Sequence, residues 1–147
     1  MGMKLCAHNG VFVQLAETTM DQPSSEFKSK GGLGRIAAAF RYSIEGFMTA
    51  WKHEHAFRQE LMVAVPAAIV ALLLKISAFQ KLALIAVLGL VLLVELINAA
   101  IEAVVDRVSL ERHPLSKAAK DLGSAAVALA ITMAAATWAV VLYNRFF

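Results

Sequence analysis

The sequence predicts an all-α membrane protein: one amphipathic surface helix followed by three transmembrane helices. Three observations carry that reading. Hydrophobic residues make up 59% of the 147 and charged residues only 17%, too apolar for an ordinary soluble domain. Three apolar runs approach or reach the length that crosses a bilayer. Ahead of them lies a stretch whose apolar residues recur at helical spacing.

The first 33 residues are expected to be a poorly ordered tail, because polar residues and glycines dominate from Thr18 to Gly34. No secretory h-region is visible, Cys6 stands where a myristoylation signal wants serine or threonine, and Met20 is an alternative start. A single cysteine excludes an internal disulfide. The net charge of +3 is spread among acids, so nucleic acid is not an expected partner.

Over about 35–52, Ile36, Phe40, Ile44, Phe47 and Trp51 fall within an arc of roughly 80° at helical pitch, with Arg41, Glu45 and Lys52 opposite. Such a stripe suits the membrane interface or a protein core. Spans are expected over about 57–76, 82–107 and 119–145, the first containing Pro66, which a membrane helix tolerates. In the third, Ala126, Ala130 and Ala134 permit close backbone approach, and burying polar faces with only three spans favours oligomers. Basic residues cluster before the first span (Lys28, Lys30, Arg35, Arg41, Lys52, Arg58) and between the second and third (Arg107, Arg112, Lys117, Lys120), which sets both regions in the cytoplasm.

The second span ends in VELINAAIEAVVDR, residues 94–107. On a helix Glu95, Asn98, Glu102 and Asp106 sit at roughly 0°, 300°, 340° and 20°, so all four share one face. Leu82 to Val94 rises about 20 Å, which places Glu95 inside the hydrocarbon towards the cytoplasmic side and Glu102 about 10 Å further, near the headgroups. An ionisable group at that depth costs roughly 2.5–3.5 kcal/mol and marks function or an interhelical polar clasp. Four polar groups graded in depth favour an active site. Lost hydration makes Glu95 a proton acceptor, as a general base is, while Glu102 near water suits a hard cation such as Mg²⁺.

A further acid, Glu54 in AWKHEHAFRQE, would lie on the apolar stripe if the surface helix continued, an expensive place unless the chain turns or a cation neutralises it. His53 and His55 point about 200° apart and make no zinc site by themselves. Lys120, followed by Asp121 before the third span, fits a phosphate-holding point charge or a snorkelling membrane-edge lysine. Neither a P-loop nor a kinase Gly-rich loop occurs, and Gly31-Gly32-Leu33-Gly34 is too short to count.

AWKHEHAFRQE, VELINAAIEAVVDR and AKDLGSAA, with three spans and small size, resemble the bacterial integral-membrane diacylglycerol kinase family from about Gly34 to the C-terminus. The resemblance implies a homotrimer in the bacterial inner membrane, with active sites shared between subunits. It implies transfer of the ATP γ-phosphoryl group to the hydroxyl of diacylglycerol, with Mg²⁺ as cofactor. Carried over by position, Glu95 is the proton acceptor, Glu54 and Glu102 hold Mg²⁺ with ATP, and Asn98 and Glu60 support the site. Lys120, Asp121, Arg35 and Tyr42 resemble nucleotide contacts, and Glu111, Arg112 and His113 fall in a stretch used near the nucleotide. Ser124, Trp51, Arg58 and Glu60 resemble lipid-side contacts. Departures are local: Arg112 and Pro114 alter the loop, and Phe40 and Glu45 the surface helix. Two rivals stand beside this reading: an undecaprenol kinase on the same scaffold, and a proton or cation conduit or structural membrane subunit without chemistry.

Overall fold

The structure, a computed structural model, describes residues 32–108 and 113–147. Expectations for the tail before Gly32, and for Glu111 and Arg112, lie outside the described residues. The chain divides into two compact units, Met1–Ala38 and Ala39–Phe147. The described part of the first is the opening of helix α1, where Arg35 is exposed.

Four helices follow in order: α1, Gly32–His53; α2, His55–Leu73; α3, Ala78–Val108; α4, Pro114–Phe146. The last three are long and apolar enough to cross a membrane. Each of the four differs by a few residues from its expected range, and local chemistry gives the reasons. Between α1 and α2 a single residue, Glu54, takes an extended conformation (φ −100°, ψ 113°). The first span stops at Leu73 and not near Ile76, because Leu74 is extended and the Lys81 ammonium donates to the Leu72 carbonyl at 2.6 Å. The next helix starts at Ala78 through a reciprocal cap: the Ser77 hydroxyl accepts from the Gln80 amide at 3.2 Å, and the Gln80 side chain accepts from the Ser77 amide at 3.0 Å. The last helix opens at Pro114, five residues before its expected start near 119, with proline in the first turn and His113 Nδ1 accepting from the Leu115 amide at 3.2 Å.

In the second unit α3 packs most extensively on α4 and next on α2. At the end of α3 near its first residues, Ala71, Leu84 and Val141 form a buried cluster with Trp138 and Ile85 against it, and Leu84 is fully buried. Midway along, Val91 packs on Ala130 and Ala134. The alanine ladder therefore serves α3–α4 contact at two of its positions, where a small side chain lets backbones approach; Ala126 is exposed. Pro66 lies inside α2, which continues through it. Large apolar side chains remain exposed on all four helices, among them Phe40 and Phe47 on α1, Ile69 on α2, Ile97 on α3 and Leu129 on α4. Exposure on this scale belongs against lipid or further protein.

Candidate active site

The four polar groups on the α3 face differ in burial in the order of their positions. Glu95 is 4% exposed and Asn98 8%. Glu102 is half-buried, and Asp106 is exposed. The helical spacing alone puts them in one row, and Gly123 of α4 lies directly against Asn98. Asn98 Nδ2 donates to Glu102 Oε1 at 3.1 Å, one turn along, which ties the buried part of the row to the open part. Asn98 Oδ1 is buried without a hydrogen-bond donor.

Glu54 reaches the same neighbourhood because α1 stops. A helix continuing past His53 would keep Glu54 among apolar neighbours; its extended backbone removes it from that register. The break is held by Arg58, whose Nη1 donates to the Trp51 carbonyl at 2.9 Å and to the Lys52 carbonyl at 3.1 Å, while Nη2 meets His55 Nδ1 at 2.7 Å. These carbonyls belong to the last turn of α1 and have no partner further along the helix. Arg58 thus acts as a C-terminal cap from the next helix, a role that its sequence position as a lipid-side contact did not suggest. Glu54 lines a groove of about 520 Å³ with Ser43, Phe47, Leu96, Ala99 and Ala103. Its negative charge and that of Glu102 both act on Glu95, and that of Glu95 acts on Glu60. Four carboxyl groups from α1–α2 and α3 are therefore within electrostatic reach in sequence from Glu60 to Glu102.

The opening of α4 brings cations to this row. Lys120 Nζ pairs with Asp106 Oδ1 at 2.6 Å and also feels the charge of Glu102. Asp121 pairs with Lys117 at 2.6 Å on the exposed side of the helix. Gly123, one turn after Lys120, faces Asn98 so closely that a Cβ there would overlap its carboxamide. Trp51 and Ser124 lie exposed on α1 and α4. Tyr42 is exposed on α1 with the Arg41 guanidinium 5.2 Å over its ring. His113 caps α4. Among the described residues no three His, Cys, Asp or Glu side chains gather to hold a metal ion.

A second cavity, about 420 Å³, lies among α2, α3 and α4 and is lined by Glu60, Ala64, Leu88, Val91, Ala134 and Trp138. Its wall is almost wholly apolar, but Glu60 Oε2 and Trp138 Nε1 are buried without partners. Sequence reading missed Trp138, Gly123 and the Asp106–Lys120 pairing. A tryptophan in an apolar run carries no signal of its own, whereas Gly123 beside Lys120 and Asp121 does stand out as a poor helix former at the level of the polar row.

Chemically, the row offers a water-poor carboxylate, two further carboxylates able to draw a cation, and an ammonium at the exposed end. Comparison with known proteins places the chain in a family. A model of the family described as prokaryotic diacylglycerol kinase matches residues 41–142. The diacylglycerol kinase of Pseudomonas aeruginosa is 53% identical over 118 residues, covering 80% of this chain and 96% of that protein. The diacylglycerol kinase of Escherichia coli K12 is 46% identical over 115 residues, covering 78% and 94%, and that of Haemophilus influenzae 37% identical over 112, covering 76% and 95%. The match takes in α2, α3 and nearly all of α4, with the whole Glu54-to-Asp121 row, and the chain belongs to the prokaryotic diacylglycerol kinase family.

Proposed function

We propose that the chain is an ATP-dependent lipid kinase that transfers the γ-phosphoryl group of ATP to the free hydroxyl of diacylglycerol, giving phosphatidic acid. Relatives at 53% and 46% identity carry the name diacylglycerol kinase. The single observation that carries the mechanism is the graded row on α3, with Glu95 buried and Glu102 half-buried one Asn98 hydrogen bond away from the deep end. A lipid hydroxyl sits just below the headgroups and a nucleotide in the water layer, so a site joining them must cross that boundary.

In this reading Glu95 takes the hydroxyl proton as the lipid oxygen bonds to the γ-phosphorus and the bond to the β–γ bridging oxygen breaks, releasing ADP. Most of the acceleration is positioning and charge neutralisation. Glu54 and Glu102 fit Mg²⁺, which is usually held by one or two carboxylates plus substrate phosphates, since both offer oxygen donors whose charges act on Glu95. Bound there with ATP, the ion would neutralise charge on the β and γ phosphates. Lys120 is suited to a phosphate as a point charge once it leaves Asp106. Arg35, Tyr42, Asp121 and the stretch containing Glu111, Arg112 and His113 serve the nucleotide. The apolar cavity beside Glu60 suits an acyl chain, and Trp51, Arg58 and Ser124 flank the lipid. Helix α1 lies amphipathically at the cytoplasmic face of the inner membrane, with the loop between α3 and α4 on the same side, and three copies share their sites. The exposed apolar faces of α2 to α4 support such burial.

The test is transfer of label from ATP to diacylglycerol by the purified full chain in mixed micelles, alongside undecaprenol. ATP-dependent labelling of diacylglycerol is expected. A preference for undecaprenol would reassign the acceptor, and labelling of neither would leave the seam as a conduit or structural clasp.

A further inference from the structure

We propose that Gly123 is a positioning residue for the nucleotide side of the site, acting through Asn98 on Glu102. An ideal Cβ on Gly123 would overlap Asn98 Oδ1 and come within 3.2 Å of Asn98 Cγ. Gly34, Gly46 and Gly89, by contrast, have open space where a Cβ would stand. A glycine inside a helix is less favourable than alanine, so one standing inside α4 against a polar side chain calls for a reason.

The reason lies in how the Asn98 carboxamide must point. Its Nδ2 donates to Glu102 Oε1, and turning it over would set the amide oxygen against a carboxylate. The oxygen therefore points away from Glu102, into α4, where it is buried without a conventional donor. Only a residue with no side chain leaves room for it there, and the glycine Cα–H then faces it as a weak donor. Any Cβ at 123 would push the carboxamide along α3 and break its aim at Glu102. Gly123 touches no substrate in this arrangement; it fixes one rotamer of Asn98, which fixes one orientation of the Glu102 carboxylate.

The inference rests on Glu102 serving the nucleotide, and its test separates the two. Gly123→Ala, Asn98→Ala and the double variant are compared with wild type as purified full chains. The readouts are the Asn98 side-chain amide resonance in ¹⁵N spectra without nucleotide, binding of a non-hydrolysable ATP analogue with Mg²⁺, the KM for ATP, and thermal unfolding. Gly123→Ala is expected to shift the Asn98 resonance and to weaken analogue binding and raise KM by about tenfold, the scale of a hydrogen bond to a charged group. Asn98→Ala should match it, and the double variant should be no worse than Asn98→Ala alone, since the two act through one contact. An unshifted resonance, or single effects that multiply in the double variant, would overturn the proposal. If Gly123→Ala fails to fold, the double variant decides: folding with the KM of Asn98→Ala supports the Asn98 clash, and failure to fold assigns the glycine to packing alone. Absence of lipid phosphorylation in wild type would sink the kinase reading, while a shifted resonance would still support the positioning contact.

Discussion

The two ends of α3 are built on opposite rules. Near its start, Leu84 is fully buried between the apolar side chains of Ala71 and Val141. Eleven residues later comes the buried Glu95, and then Asn98, whose unpartnered carboxamide oxygen meets a glycine of α4 that cannot become larger. Packing at the first end has many equivalent solutions of similar volume. The second end tolerates few, because the hydrogen bond to Glu102 and the close approach of Gly123 leave the Asn98 carboxamide one orientation. In the proposed mechanism stability and chemistry are thus separated along one helix, and substitutions should sort accordingly.

The largest expected effect is on chemistry alone. Glu95→Gln should lower kcat for lipid phosphorylation by about 10³-fold, in the range of a lost general base, with thermal stability unchanged or raised because a buried carboxyl has been replaced by an isostere. Label transfer and thermal unfolding on the same preparation check both halves. Leu84→Ala should do the reverse: about 2–5 kcal/mol of destabilisation from the cavity, with the KM for ATP of the folded fraction intact. Denaturant unfolding in detergent beside a KM measurement separates the two. A large KM change in that variant would show that the ends are not independent.

Lys120→Met should raise the KM for ATP by about tenfold with little change in kcat. Its partner sharpens the comparison: the Asp106–Lys120 pair has side chains 49% and 38% exposed, so Asp106→Asn should alter stability by less than about 1 kcal/mol. A small effect, on stability alone, is expected furthest from the row. Ser77→Ala removes the reciprocal cap at the start of α3 and should cost about 1 kcal/mol with unchanged turnover, read from thermal unfolding and specific activity.

What the sequence made legible follows from the range of its signals. The polar row is visible because Glu95, Asn98, Glu102 and Asp106 repeat at three and four residues on one helix, a purely local pattern. Glu54 was legible as a conflict, an acid on an apolar stripe, and the structure resolves it by ending α1; that Arg58 holds the break was not legible, since a guanidinium four residues into the next helix has many possible uses. The Ser77–Gln80 cap was present in the sequence as Ser-x-x-Gln and would have placed the start of α3 at Ala78. His113-Pro114 would likewise have placed the start of α4. The Asn98–Gly123 and Asp106–Lys120 contacts are of another kind. Each joins two helices through their relative rotation and translation, which periodicity within either helix does not fix. The same holds for Trp138 and Glu60, whose common cavity exists only once α2, α3 and α4 are packed.

The most direct measurement is the structure of the full chain in lipid bound to Mg²⁺ and a non-hydrolysable ATP analogue. The phosphates should lie at Lys120, with the metal on the carboxylates of Glu54 and Glu102 and the terminal phosphate turned towards Glu95. A nucleotide bound away from α3, with Glu95 and Glu102 opening into separate environments, would contradict the shared site on which the kinase mechanism depends.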